Sequence, residues 1–130
     1  MKITKKNKEL VTKEIGKAKY RCWASTWDVG IEFLDSQPAD KENIAAKITP
    51  DPNYKCADLE VYPYFFKLDA EHRRLIATHE ILHCVVSPLR VLVDMLLDGV
   101  LVTRREVADA EESIVSHLSN ILTYGQTKKT

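Results

Sequence analysis

Leu68-Asp69-Ala70-Glu71-His72-Arg73-Arg74-Leu75-Ile76-Ala77-Thr78-His79-Glu80-Ile81-Leu82-His83-Cys84-Val85-Val86-Ser87-Pro88 is the stretch on which the fold turns. Asp69 suits a helix N-cap, because its short side chain accepts from the free N–H groups of the first turn. Glu71 suits the positive end of the helix dipole. Leu75, Ile76, His79, Leu82, His83 and Val86 then recur at three and four, the period of one helical face. The spacing predicts a helix from Asp69 to about Ser87, with both histidines on its core-facing stripe. Pro88 should stop it, since the residue before a proline disfavours helical backbone.

Working outward, a further helical segment is expected from about Leu89 to Leu97, closed by Asp98-Gly99. Thr103 can cap a last helix carrying Val107, Ala110, Ile114, Leu118 and Ile121 and ending by Gly125. Upstream, residues 6–20 place Leu10, Val11, Ile15 and Ala18 at helical spacing. Trp27, Val29, Ile31 and Phe33 alternate as in a strand, and Ile44, Ala46 and Ile48 alternate again before Pro50. Ser36–Asn43 reads as a loop and Asp51-Pro52-Asn53 as a turn. Leu59–Phe66 reads as a third, aromatic-rich strand; because Pro63 cannot donate to a ladder, that strand is expected at a sheet edge. Helix, then strands, then helices gives an α+β domain: about three strands packed on the His79–His83 helix and a C-terminal helix. It is expected to be one domain over 1–130, with 1–5 and 125–130 as frayed tails.

The bulk numbers agree with such a domain. The 130 residues are 45% hydrophobic and 29% charged, and 19 basic residues balance 19 acidic ones. No overall field attracts nucleic acid or an anionic membrane, and no apolar run approaches the roughly 20 residues of a spanning helix. The basic opening Met1–Lys8 lacks the apolar stretch of an export signal. Cys22, Cys56 and Cys84 fit neither a disulfide framework nor a Cys-x-x-Cys knuckle. Reduced thiols in a cytoplasm are the expectation, with no nucleic-acid or membrane partner.

His79-Glu80-Ile81-Leu82-His83 carries the chemistry. Four residues make about one helical turn, so both imidazoles project from one face. Two neutral imidazoles so held can bind Zn²⁺ at about 2.0–2.1 Å, while Glu80 faces the open coordination position. A carboxylate there can take a proton from metal-activated water and return it to a leaving amine. Two unpaired imidazoles in a small core would also be costly unless something bound them.

That motif resembles the zincin metallopeptidases. The acidic residues on the following helix resemble the gluzincin branch, in which a glutamate on a later helix is the third ligand, and the short strand-then-helix order is similar to minimal phage or mobile-element peptidases. The resemblance runs from about Trp27 to Leu122 and is specific only in the His-Glu-x-x-His string; no His-x-x-Gly-x-x-His follows. It implies a third ligand from Ala110-Glu111-Glu112-Ser113-Ile114. Glu111 lies near the Val107–Ile114–Leu118 stripe, whereas Glu112 points away, so Glu111 is preferred and Glu112 is the alternative. Glu106, Asp109 and His117 are outside candidates. Tyr62 or Tyr64 can polarise a carbonyl, and Asp94 or Asp98 can accept a ligand ring's second N–H. His72 is expected in solvent and Cys84 as a buried thiol.

The expected function is a zinc metallopeptidase acting by Glu80-assisted water attack on an extended peptide docked along edge strand 59–66. The alternative is a zinc-binding regulatory or interaction protein of phage type without peptidase activity, since the short chain leaves little room for a substrate subdomain.

Overall fold

The computed structural model describes residues 2–40 and 42–124; the predicted tail at 125–130 lies outside them. The chain is α+β, with three α-helices and a three-stranded mixed sheet among the described residues.

Helix α1 spans Lys5–Arg21 and is organised from Thr4, whose hydroxyl accepts from the Asn7 N–H while the Asn7 side chain accepts from the Thr4 N–H. The chain is therefore ordered one or two residues before the end of the predicted tail 1–5. Val11, Ile15 and Ala18 form the buried face of α1.

Strands β1 (Asp28–Phe33), β2 (Ala46–Asp51) and β3 (Cys56–Val61) lie in the order β1-β3-β2. β1 runs parallel to β3, and β2 runs antiparallel to it. The register aligns Ile31, Leu59 and Ile48, and likewise Phe33, Val61 and Ala46, on one face of the sheet. That face is apolar and packs on the helices; Leu59 and Val61 are fully buried in it, and Phe65, just beyond the sheet, is buried in the same core. Glu32, Glu60 and Lys47 share the opposite face, as the period-2 pleat requires.

Three expectations change. The strand around Leu59 is central rather than an edge, because β1 and β2 pair with it on both sides. It also ends at Val61. After Tyr62, Pro63 opens a 3₁₀ turn, Pro63–Lys67, which uses the missing N–H where no partner is needed. Pro50 instead lies inside β2, an edge strand that tolerates a proline.

The third change concerns Pro88. Helix α2 runs unbroken from Ala70 to Leu97, with Asp69 as N-cap and Pro88 in its interior. A proline there removes one donor, which would orphan the Cys84 carbonyl. The Ser87 hydroxyl donates to that carbonyl at 2.7 Å and takes the place of the absent N–H. The two helical segments anticipated on either side of Pro88 are thus one helix. Asp98 caps its end; Gly99 takes φ +78°, with Gly99 N–H bonded to Leu96 and Val100 N–H to Met95. Helix α3, Arg104–Tyr124, starts from a capping box in which Thr103 and Glu106 exchange hydrogen bonds. Of its residues only Ala110 is fully buried.

Candidate metal centre

Helix α2 buries Ala77, Glu80, Ile81, Cys84 and Val85 against the sheet and α1. Its core-facing stripe is therefore offset from the one that spacing suggested. His79 and His83 are exposed, as are Leu75 and Val86, while Glu80 between them is buried at 8% exposure. The apolar residues of α2 occupy more than one face, so periodicity alone could not choose which face meets the core.

The ligand atoms of His79, Glu80 and His83 all lie within 4.8 Å of one another. The two imidazoles stand edge to face, with ring centroids 4.9 Å apart and planes at 82°. Two nitrogens bound tetrahedrally to one Zn²⁺ at about 2.0–2.1 Å stand about 3.4 Å apart. From within 4.8 Å the two rings need a closing of no more than about 1.4 Å, within the reach of side-chain torsions at an exposed site. Two imidazoles and a carboxylate at one helical turn are a donor set that suits a borderline divalent metal.

Glu80 is fixed from the sheet side. Its Oε2 accepts the backbone N–H of Ile48 at 3.1 Å, a bond from the outer edge of β2 to the middle of α2. Burial raises the Glu80 carboxyl above its ordinary value of 4.5, opposed by the nearby His83 and His79 and by the Ile48 N–H. Ile48 was not anticipated as part of the site. The signal available was Pro50, which marked β2 rather than β3 as the strand with a free edge.

The remaining candidates lie elsewhere. Glu111 and Glu112 are exposed on α3 and neither belongs to the His79–Glu80–His83 group; the Ser116 hydroxyl donates to Glu112 at 3.4 Å. Asp94 pairs with Arg90 at 3.1 Å. It lies eleven residues beyond His83 on the same continuous helix, roughly 16 Å along the axis, and Asp98 is farther still, so neither serves the ligand rings. The His72 ring meets Asp69 at 2.7 Å at the start of α2; the His72 backbone N–H and then its ring lower the Asp69 carboxyl, and Asp69 raises the His72 imidazole. The Tyr62 hydroxyl donates to Glu60, which raises it to about 12. His117 is half-buried on α3, and its Nε2 is buried without a hydrogen-bond partner. Glu106 is taken up by the Thr103 cap and Asp109 faces Arg105 at 4.0 Å.

Comparisons with protein-family models, with curated proteins and with solved structures find no match. Among the described residues no helix is long and apolar enough to cross a membrane.

Proposed function

We propose that the chain is a zinc-dependent peptidase in which His79 and His83 hold the metal and Glu80 is the general base. The observation that carries this reading is the convergence of the three side chains within 4.8 Å, with the two imidazoles exposed and the carboxylate between them buried. A structural site has no use for a buried acid beside two imidazoles. Zn²⁺ held there supplies a Lewis acid and a coordinated water that loses a proton near neutral pH.

The chain's own residues do the rest. Ile48 N–H holds Oε2 of Glu80, which leaves Oε1 to take the proton from water. Burial raises the basicity of Glu80, bringing it closer to the pH at which a base works best. The protonated acid then returns the proton to the departing amine. An extended peptide is the matching substrate class. The edge strand beside Glu80 is β2, but its Ile48 N–H is held by Glu80 and Pro50 has none, so the docking proposed along segment 59–66 does not pass to β2 as a hydrogen-bonded ladder. Glu111, with Glu112 as alternative, remains the proposed third ligand, and α3 must bring it to the histidines when the metal binds.

A second reading is a zinc-binding regulatory protein without peptidase activity. Its support is that no α3 carboxylate belongs to the histidine cluster. One experiment separates the two. Chelator-stripped protein is titrated with Zn²⁺ and then assayed on unfolded protein substrates, with Glu80→Gln in parallel. The peptidase reading expects one Zn²⁺ per chain, zinc-dependent cleavage, and no cleavage by Glu80→Gln with zinc retained. Stoichiometric zinc without cleavage favours the regulatory reading, and no zinc uptake ends both.

A further inference from the structure

The exposed face of α2 has a spacing of its own. Leu75, His79, Leu82, Val86, Leu89, Val93 and Leu96 follow one another at steps of four and three without a break. That is the seven-residue repeat of a two-helix seam, with Leu at every d position and His79, Val86 and Val93 at a. The a positions point away from the buried Glu80, Ile81, Cys84 and Val85, while Leu89 and Leu96 lie one turn beyond the buried Val85 and Leu92, so the seam runs along the margin of the domain. Leu75 is 62% exposed, Leu89 48%, Val93 42% and Leu96 57%, and Leu82 is half-buried. Leu82 also packs against the core, so the open part of the seam is Leu75 and Val86 to Leu96.

We infer that this seam is a self-association surface on which α2 pairs in parallel with α2 of a second copy. Three features select a second copy over another occupant. β-Branched residues at a with leucine at d favour two parallel strands, in which a meets a and d meets d. Such a seam is complementary to itself, so no other sequence is required. The six apolar seam residues leave on the order of 500 Å² open per copy, at the upper end of what a monomer shows. Two such faces bring the total to about 1,000 Å², the low end for a specific interface and the size of a weak, reversible pair.

His79 fits the same scheme. In the aligned pair it meets the other copy's His79; a slip of one heptad would bury it against Val86 instead. A single polar a position fixes register in this way. The inference rests on the seam alone and concerns the metal-free chain, because pairing encloses the same His79 that the proposed peptidase leaves open to a metal.

The test is the mass of the full chain in solution. Sedimentation across the micromolar range is expected to show twice the 14.8 kDa of one chain. Leu89→Lys and Val93→Glu, both at exposed positions and checked for an unchanged circular dichroism spectrum, should each raise the dimer dissociation constant at least roughly 30-fold. Leu96→Cys should cross-link to itself under mild oxidation, with the wild-type chain as control for its own cysteines. A monomer throughout, or seam variants that associate like wild type, overturns the proposal. So does a dimer in which Leu96→Cys stays reduced but mixed Leu75→Cys and Leu96→Cys chains cross-link, since that pairing is antiparallel.

Discussion

The Glu80 carboxylate and the Ile48 amide hold each other across the junction of helix α2 and strand β2, Oε2 accepting from N–H at 3.1 Å. One bond thereby satisfies a donor on a sheet edge and orients a buried acid beside two imidazoles. An unpaired N–H there would cost about 1–3 kcal/mol. Burying a charge is costly as well, and the raised Glu80 carboxyl is the record of that cost.

Glu80→Gln should therefore stabilise the metal-free protein while abolishing hydrolysis. The glutamine carbonyl still accepts from Ile48, and the buried charge is gone. At neutral pH the gain should be on the order of 0.5–2 kcal/mol, as for other residues held against stability by function. The sign with pH follows from the upward shift. Ionised Glu80 costs stability above its folded-state value; as pH falls through that value towards the ordinary 4.5, wild type takes up the proton and the cost disappears. Urea melts at several pH values should show the variant's advantage at neutral pH shrinking to nothing below about 4.5.

His79→Ala and His83→Ala should separate metal binding from folding. Both side chains are exposed, so each change should alter metal-free stability by no more than about 0.5 kcal/mol. Each should weaken zinc binding by at least about 100-fold, since each removes a direct ligand rather than one of the outer partners whose loss alone costs 10–100-fold. Isothermal titration of Zn²⁺ into the folded variants measures both. An unchanged affinity in either variant would remove that histidine from the site.

Much of this was legible in the residues, for identifiable reasons. Asp69 and Thr103 announced two helix starts because capping is local chemistry, and both bonds are present. The His79–His83 cluster was legible because helical spacing alone brings i and i+4 together. What failed was non-local. The pairing order β1-β3-β2 is set by long-range contacts, so Pro63 suggested an edge where the strand had already ended. Pro88 is the exception: the Ser87 bond that replaces its donor is local, but residue spacing does not show which rotamer the Ser87 hydroxyl takes. The orientation of α2 was ambiguous because its seam and its core face are both apolar; the sheet chose the face that carries Ile81 and Cys84.

The three thiols should differ sharply in reactivity. Cys22 and Cys84 are buried and Cys56 is half-buried. Burial, with Cys22 nearby, pushes the Cys84 thiol up to about 12, and burial raises that of Cys22. Since the thiolate is the reactive form, titration of native protein with an aromatic disulfide at pH 8 should modify one thiol per chain, at Cys56. Denatured protein should give three. Peptide mapping that found Cys84 modified first in the folded chain would contradict the packing of α2 on α1.

Ser87 and Pro88 should be energetically coupled. In wild type, Ser87→Ala leaves the buried Cys84 carbonyl without its donor, at a cost of about 1–3 kcal/mol. Pro88→Ala restores a backbone N–H aimed at that same carbonyl and relieves the ring's clash with the preceding turn, so it should stabilise the protein, by up to about 3 kcal/mol. In the Pro88→Ala background the hydroxyl is redundant, and Ser87→Ala should then cost only a few tenths of a kcal/mol, the scale of an ordinary helix substitution. A double-mutant cycle on chemical denaturation measures the difference directly, with an expected coupling of about 1 kcal/mol or more. If the two substitutions were additive, the Ser87 hydroxyl would not be what carries α2 through its proline, and the continuity that places Leu75 to Leu96 on one seam would need another cause.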